Sequence, residues 1–558
     1  MTSNSIPPPK VLVVGAGPTG LTLALSLLRQ GIHVRVIDKN LVAIPGQRGS
    51  GIFPRTLEVL EALGLLQKVE QFSIAVPKAA IYGLPGGKEV VKEADMINSV
   101  DPTPAIPHPN AVFLGQNHLE AILSDAVTQH GGVIDRGVEL KSLEQVEDRV
   151  RVVLEHSGGT DSLEDTTYLY VAGADGGKST VRKTLNFPFL GETREDTQVV
   201  FGDFFMSGLS QDRIHVWGDV LRKGLFAKPT ETPGLFSLIL GGDIHKYISS
   251  LDKVASVKEM FKEAMGGRED VQVVDIVWHG IYRFNIRMSP EFSKGHVFLG
   301  GDAAHVHSPT GGQGLNTGVQ DAYNLGWKLA LVIHQRAPPL LLDSYNLERV
   351  PIVAEMLDMT TKILSKTLAA ASDTPTDASV LDRGGKLHQL GVNYRTSRIV
   401  IDDGDDVGAV SAYGGPDGGP VRAGDRAPDA SGLVRADTDK STRLFEIFDS
   451  CLHTVLIFID TMDQSSVTEL SPTFFSKYSC DLVRFFIICQ AHASPRPTAN
   501  ASNLVVYEDK DGHAYQAYAS EDKSGKIFVV RPDGYVGARL RNMGGVEKYF
   551  TDLLGINL

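Results

Sequence analysis

Residues 10–38 read KVLVVGAGPTGLTLALSLLRQGIHVRVID. A short β-branched apolar run, Val11–Val14, leads straight into glycines at 15, 17 and 20. An apolar periodic segment follows and ends at Gly31, and a second apolar run ends at Asp38. The pattern predicts strand, tight turn, helix, strand, with the strands buried in a parallel sheet. The glycines carry the G-x-G-x-x-G spacing in the strand-to-helix context that gives it meaning. Gly15 permits the tight turn, Gly17 lets a pyrophosphate approach the backbone, and Gly20 lets the helix pack closely on the strand. The unpaired N–H groups at the helix start would hold the phosphates. Asp38 stands where a carboxylate accepts bonds from a ribose hydroxyl, which favours an unphosphorylated adenosine ribose, as in FAD or NAD. The motif alone does not separate the two. A glycine-rich turn without a ligand is the bland alternative, disfavoured because strand, helix and acid are all in place.

The bulk numbers fit this reading. The chain has 558 residues, too many for one core, and length suggests roughly three or four domains. Apolar content of 42% and charged content of 22% are those of a globular protein. A net charge of −13 argues against nucleic acid as a partner. Cys451, Cys480 and Cys489 show no metal-ligand or disulfide spacing, which suits a reducing, cytoplasmic setting. The apolar run Val11–Leu28 is broken by glycine and proline at its middle, so it is read as neither membrane span nor signal peptide.

Further along, residues 53–70 and 116–130 carry helical patterns, and YLYVAGADGG, ending at Gly177, reads as another buried strand. From 186 to 285 short alternating runs such as TQVVFGDFFM and VQVVDIVWHGIYRF predict an antiparallel sheet. Residues 295–334 return to strand, loop and helix, and 339–366 read as a long helix. Residues 369–423 read as a linker opening on AAASDTPTDAS. The last part, 424–558, has its own strand set. The expected fold is therefore α/β. A Rossmann-like nucleotide-binding domain (1–185, completed by 286–368 with the long helix) carries an inserted antiparallel sheet domain (186–285), and a separate α/β domain follows at 424–558.

Two more turns matter. GADGGKSTVRK places Asp175, Gly176, Ser179 and Arg182 after a buried strand. HVFLGGDAAHVHSPTGGQGLN runs a strand into Asp302 and then into glycines before a helix. Taken singly, each reads as a capped strand–helix joint. Together with GAGPTG they resemble, in order, the three motifs of the class A flavoprotein monooxygenases, the group of para-hydroxybenzoate hydroxylase and phenol 2-monooxygenase. QRGSGIFPRTLEVLEALGL, GQNHLEAIL and LLDSYNLERVPIV are similar to the segments that family carries between and after them. The resemblance runs from 10 to 365. RAGDRAPDA (422–430) and FVVRPDGYVGAR (528–539) resemble the thioredoxin-like tail of the phenol 2-monooxygenase branch. The tail lacks a CxxC pair, so it is read as a structural or dimer-contact domain.

The resemblance implies one FAD held by Gly15, Gly17, Gly20 and Asp38, with Arg48, Gln116, Asp302, Gly312 and Asn316 contacting it by motif position. The glycines at 311, 312 and 314 precede a helix whose positive end would favour reduced, anionic flavin. Pro309 would stiffen the turn beside the ring. NADPH or NADH would bind transiently, with Asp175 and Arg182 as the residues expected there. The implied reaction consumes O2 and NAD(P)H and hydroxylates a phenolic or aromatic small molecule, of polyketide type among others, through a flavin C4a-hydroperoxide. Alternatives on the same scaffold are Baeyer–Villiger or epoxidising oxygenation, an O2-independent reductase, and a non-catalytic flavin-binding scaffold. The antiparallel sheet would be the substrate platform, with Tyr282, which alternates with Trp278 on one strand face, as a substrate contact. His305 and His307 are read as structural. Some relatives place an acid before the glycine of the G-x-x-x-R-T-L-E segment; this chain has Ser50 there. A homodimer is expected, and no metal.

Overall fold

The computed structural model describes residues 9–84, 86–157, 162–220, 223–242, 254–308, 311–369, 385–404, 411–414, 421–459, 472–491, 504–519 and 526–556. Strand β1 (Val11–Val14), helix α1 (Pro18–Arg29) and strand β2 (Val34–Asp38) form the expected unit. Helix α2 (Gln116–Gln129), strand β3 (Val133–Arg136), strand β4 (Tyr170–Gly173) and the short helix α3 (Thr180–Thr184) follow. The sheet has the order 293–294, 297–299, β4, β1, β2, β3, parallel except for the outermost pair. β1 and β4 are buried on both faces, which is why they are continuous apolar runs without alternation.

The register has a direct consequence for the site. Val14 pairs with Gly173 and with Ile37, and Gly173 pairs with Leu299. The turns at Gly15, Asp38, Asp175 and Asp302 therefore leave the carboxyl ends of four adjacent strands on one edge. Ligands of open α/β sheets bind at such an edge.

The second sheet is built from β5 (Leu190–Ser207), β6 (Ile214–Asp219), β7 (Lys223–Pro229), β8 (Leu235–Gly241) and β9 (Gln272–Met288). Its order is 305–306, β9, β5, β8, β7, β6, 79–82, 90–94. The sheet thus exceeds the expected span of 186–285: Ala79–Tyr82 and Val90–Ala94 extend it beyond β6, and His305–Val306 ties it to the Asp302 turn. One face packs on helix Val254–Ala264 through Phe204, Phe236, Leu238, Val257 and Phe261. The other faces the nucleotide-binding domain.

Helix α4 (Gly314–Ile333) is buried along nearly its whole length, and α5 (Asp343–Ala369) runs through Pro351 without ending. The tail forms an eight-stranded sheet in the order 401–402, 536–540, 527–530, 453–459, 483–490, 504–509, 433–435, 441–442. Residues 385–404 differ from the linker expected over 369–423. Tyr394 and Ile399 are buried in the main core, and Ile401–Asp402 pairs with Val536–Leu540. Local composition reported a polar stretch there, whereas tertiary packing decided its place. No helix among the described residues is long and apolar enough to cross a membrane.

Candidate functional site

The sheet edge holds a cavity of about 390 Å³ lined by Gly15, Gly17, Asp38, Arg48, Gln116 and Glu120, and on its other side by Asp175, Asp302 and Gly314. Gly15 has φ +110°, and a Cβ on it would lie 2.2 Å from the Ala174 carbonyl oxygen, so the first and second motifs meet there. A Cβ on Gly17 would meet no atom within 4 Å, which leaves its backbone open to a ligand. Gly20 stands behind the wall, where a Cβ would come 2.1 Å from the Gly15 carbonyl oxygen. No side chain caps α1, so its first amides stay available for an anion. Asp38 Oδ2 accepts from Ala16 N at 3.0 Å and Oδ1 from Asn40 N at 2.9 Å, which orients the carboxylate at the strand end.

Arg48 adopts φ +34° and places Nη2 3.3 Å from Glu120 Oε1. Gln116 Nε2 donates to the same oxygen at 2.8 Å. Burial holds the Glu120 carboxyl above its usual range, against the pull of Gln116 and Arg48. Glu120 was not singled out from the sequence, although it lies one turn after Gln116 in QNHLE.

The Asp302 turn is gripped from behind. Asp321, one of the buried polar residues of α4, accepts Gly301 N at 3.0 Å, His305 Nε2 at 2.8 Å and Arg349 Nε at 2.7 Å. Burial opposes ionisation of Asp321, but Arg349, His305 and the Gly301 amide outweigh it and bring the carboxyl down to about 2. Asp302 itself is exposed to the cavity. His305 is a structural partner of Asp321. His307 is buried, held below its ordinary pKa by burial, and its Nδ1 lies 2.5 Å from the Ser308 carbonyl.

Asn316 is fully buried and outside the cavity wall. Its Oδ1 accepts from Phe53 N, and its Nδ2 donates to the carbonyls of Gly51 and Gly312, each at 2.9 Å. It fastens the start of α4 to the 51–53 strand, with Gly312 at φ +62° in between. Pro309 lies outside the described residues.

Arg182, expected at the nicotinamide cofactor, is 4% exposed and turned to the backbone. Its guanidinium donates to Ala303 O at 2.7 Å and Gly177 O at 2.9 Å and lies 3.7 Å over the Phe189 ring. It bridges two turns of the cradle, with Nη1 and Nη2 each turned to a backbone carbonyl. Asp175 Oδ2 caps α3 through Thr180 N and Val181 N, while its Oδ1 is buried with no partner. Burial raises its carboxyl.

The sheet face turned toward this cradle has an ordered pattern. Lys228, Ser237, Asp203 and Trp278 are register neighbours across β7, β8, β5 and β9 and form a polar row. Two residues along each strand, Phe226, Ile239, Phe201 and Gly280 form a second row, all partly exposed. Tyr282 lies beyond it on the same strand face, and its hydroxyl donates to His307 O at 3.1 Å. Burial raises the Tyr282 pKa. The loop that carries Arg48 lies on the polar row: Gln47 N donates to Asp203 at 2.6 Å, and Lys228 Nζ donates to Ser50 Oγ. The loop therefore touches the cavity on one side and the sheet on the other.

The residues present fit FAD. A glycine cradle at a helix start would meet the pyrophosphate, Asp38 a ribose and Asp302 a ribityl hydroxyl. The orphaned Arg48 Nε and Asp175 Oδ1 leave polar atoms for a ligand. The uncapped start of α4 adds positive potential at Gly314.

Comparison with known proteins agrees. The FAD binding domain family matches residues 9–360, and the phenol hydroxylase C-terminal dimerisation domain matches 435–556. A flavin-dependent monooxygenase of Mycobacteroides abscessus is 37% identical over 551 residues, 97% of this chain and 99% of that protein. Pentachlorophenol 4-monooxygenase of Sphingobium chlorophenolicum is 29% identical over 545 residues, covering 95% and 93%. The structure of aklavinone-11 hydroxylase with FAD and aklavinone matches with a TM-score of 0.77 at 25% identity, covering 99% and 100%.

Proposed function

The chain belongs to the FAD-binding flavoprotein monooxygenases, and from that premise we propose that it hydroxylates an electron-rich phenolic ring of a polycyclic, polyketide-type small molecule. The observation that carries the reading is the partly exposed row of Phe226, Ile239, Phe201 and Gly280. It is a flat apolar floor, bounded by the polar row on one side and by Tyr282 and the His307 turn on the other. A planar aromatic molecule lies on such a floor with its edge toward polar groups. The relatives point the same way: one is a pentachlorophenol monooxygenase, and one was solved with aklavinone.

Bound FAD would supply the redox chemistry, passing electrons from NAD(P)H to O2 and inserting one oxygen atom. The chain's own residues bind, orient and exclude water. Gly15, Gly17, Asp38 and Asp302 hold the cofactor. The start of α4 at Gly314 supports negative charge beside it. The sheet and the 46–50 loop close the reacting region from solvent. Asp175, which lines the cavity, is the residue assigned to the nicotinamide cofactor. The tail contributes a homodimer contact, in keeping with its family match.

The test is NAD(P)H oxidation by the yellow holoenzyme, screened with phenolic polyketides under air and under argon. The reading expects substrate-stimulated oxidation with one O2 consumed per hydroxylated product. Oxidation that continues without O2 would make the protein a reductase. No oxidation with any ring substrate would leave it a flavin-binding scaffold.

A further inference from the structure

Lys228 is 7% exposed near the end of β7. Its ammonium donates to Ser50 Oγ, its one hydrogen bond among the described residues, and lies 4.5 Å over the centroid of Phe113. The acids facing it are engaged elsewhere. Asp203 accepts from Gln47 N at 2.6 Å and Trp278 Nε1 at 2.5 Å. Glu231 accepts from Gln47 Nε2 at 2.8 Å and has His118 Nδ1 at 2.8 Å. Neither makes an ion pair with Lys228 among the described residues. A buried ammonium without a direct ion pair is costly.

Its position suggests the user. The polar row and the apolar row are two residues apart on each strand, about 7 Å, which is close to the breadth of one aromatic ring. A ring on Phe201, Phe226 and Ile239 turns an edge substituent toward the end of the floor where Ser50 and Lys228 meet. Ser50 is partly exposed, and Lys228 is the one partner of its hydroxyl among the described residues. We propose, building on the hydroxylase reading, that Ser50 Oγ binds the acidic hydroxyl of the ring substrate and that Lys228 receives the proton through it.

The step balances. The phenolic O–H bond breaks and its proton goes to Ser50 Oγ, while the serine's own proton passes to the neutral amine of Lys228. The result is an ammonium, an unchanged serine and a phenolate. The hydrogen bond between Lys228 Nζ and Ser50 Oγ is the contact along which that proton passes. Burial lowers the amine to about 8, against the upward pull of Glu231 and Asp203, so part of the enzyme holds a neutral amine near neutral pH. Ser50 is the group that touches substrate, and Lys228 acts through it.

The experiment uses the FAD-loaded enzyme and alizarin, a dihydroxyanthraquinone whose visible spectrum reports its ionisation. Bound to wild type, the dye is expected to ionise at least about one pH unit below the free dye. Ser50→Ala and Lys228→Met should each return the midpoint to the free value or above it, Ser50→Thr should keep the shift, and the double variant should add nothing. Matched flavin content and circular dichroism check the fold. If Lys228→Met does not fold, the Ala and Thr variants at Ser50 decide. An unshifted midpoint in Ser50→Ala, or additive effects of the two substitutions, overturns the relay. Failure of substrate-dependent NAD(P)H oxidation in wild type, with the dye shift intact, would instead count against the hydroxylase reading.

Discussion

Asp321→Asn tests whether the Asp302 turn is held by charge from within α4. The substitution keeps size and one carbonyl oxygen but replaces an acceptor with an NH2 donor. The native carboxylate accepts from Gly301 N, His305 Nε2 and Arg349 Nε, so at least one donor would then face another donor. Arg349 is fully buried and would keep only Tyr394 Oη at 3.0 Å and Thr317 O at 3.3 Å. Breaking one side of a buried pair costs roughly 3–5 kcal/mol. The carboxyl provides an independent figure. It lies at about 2 against an ordinary 3.8, a difference worth about 2 kcal/mol. Because the folded value is depressed, that stability is present above the ordinary value and is lost as pH falls toward 2. The variant should therefore melt several degrees below wild type at pH 7 and release FAD earlier in the same scan. The gap should narrow between pH 5 and pH 3, where wild type loses what the variant never had. The measurement is denaturant unfolding at both pH values with flavin fluorescence as second probe. A variant within about 1 kcal/mol of wild type at pH 7, with unchanged flavin release, would refute the reasoning.

Other outcomes follow from the same geometry. Gly15→Ala puts a methyl 2.2 Å from Ala174 O at φ +110°, and should purify as colourless apoprotein, checked by the flavin-to-protein absorbance ratio. Asp302→Ala removes a charged acceptor worth roughly 1.5–3 kcal/mol, so titration of FAD into apoprotein should show at least about tenfold weaker binding. Gly312→Val forces a β-branched residue into φ +62° with Phe53 3.3 Å from its Cβ, and should lower the FAD midpoint potential by tens of millivolts; an unchanged or raised potential at full occupancy contradicts the role of this loop. Arg531→Met leaves Glu348 and Asp533 buried without that cation and should cost about 3–5 kcal/mol, seen as one earlier unfolding transition.

The nucleotide-binding half was legible because its signals are local. A β-branched run before spaced glycines has few other meanings, and the turns after Val14, Gly173 and Leu299 sit where parallel strands must end. The supporting residues were not legible in this way. Asp321 and Glu120 lie within ordinary helical patterns, and nothing nearby marks them as partners of Gly301, Arg349 or Arg48. Arg182 looked available because sequence reports its charge and not the Ala303 and Gly177 carbonyls that occupy it. Nothing local in the sequence marks Lys228. Its meaning depends on register across β7, β8 and β5 and on a loop 178 residues earlier. The stretch 385–404 misled for the same reason, since its few apolar residues are buried by a partner far away in the chain.

The relation between the tail and the flavin site illustrates that coupling. Composition divides the chain near 424, and the tail has no CxxC pair. The structure nevertheless joins the two parts through α4, the helix whose first turn lines the cavity. Tyr323 Oη donates to Pro532 O at 2.9 Å, and Asn324 Nδ2 reaches Asp533 at 3.2 Å. Trp327 packs edge-on against His453. Lys328 and Arg531 share the buried carboxylate of Glu348, each at 2.7 Å. Burial opposes the charge on Glu348, and the two cations overcome it and hold the carboxyl far below its usual range. Buried charges of this kind have one low-energy arrangement, because any displacement leaves an unpaired ion in an apolar setting. They fix the depth and rotation of α4, and so the direction in which its free amides point at Gly314. Through these contacts the tail holds the helix whose first turn lines the cavity.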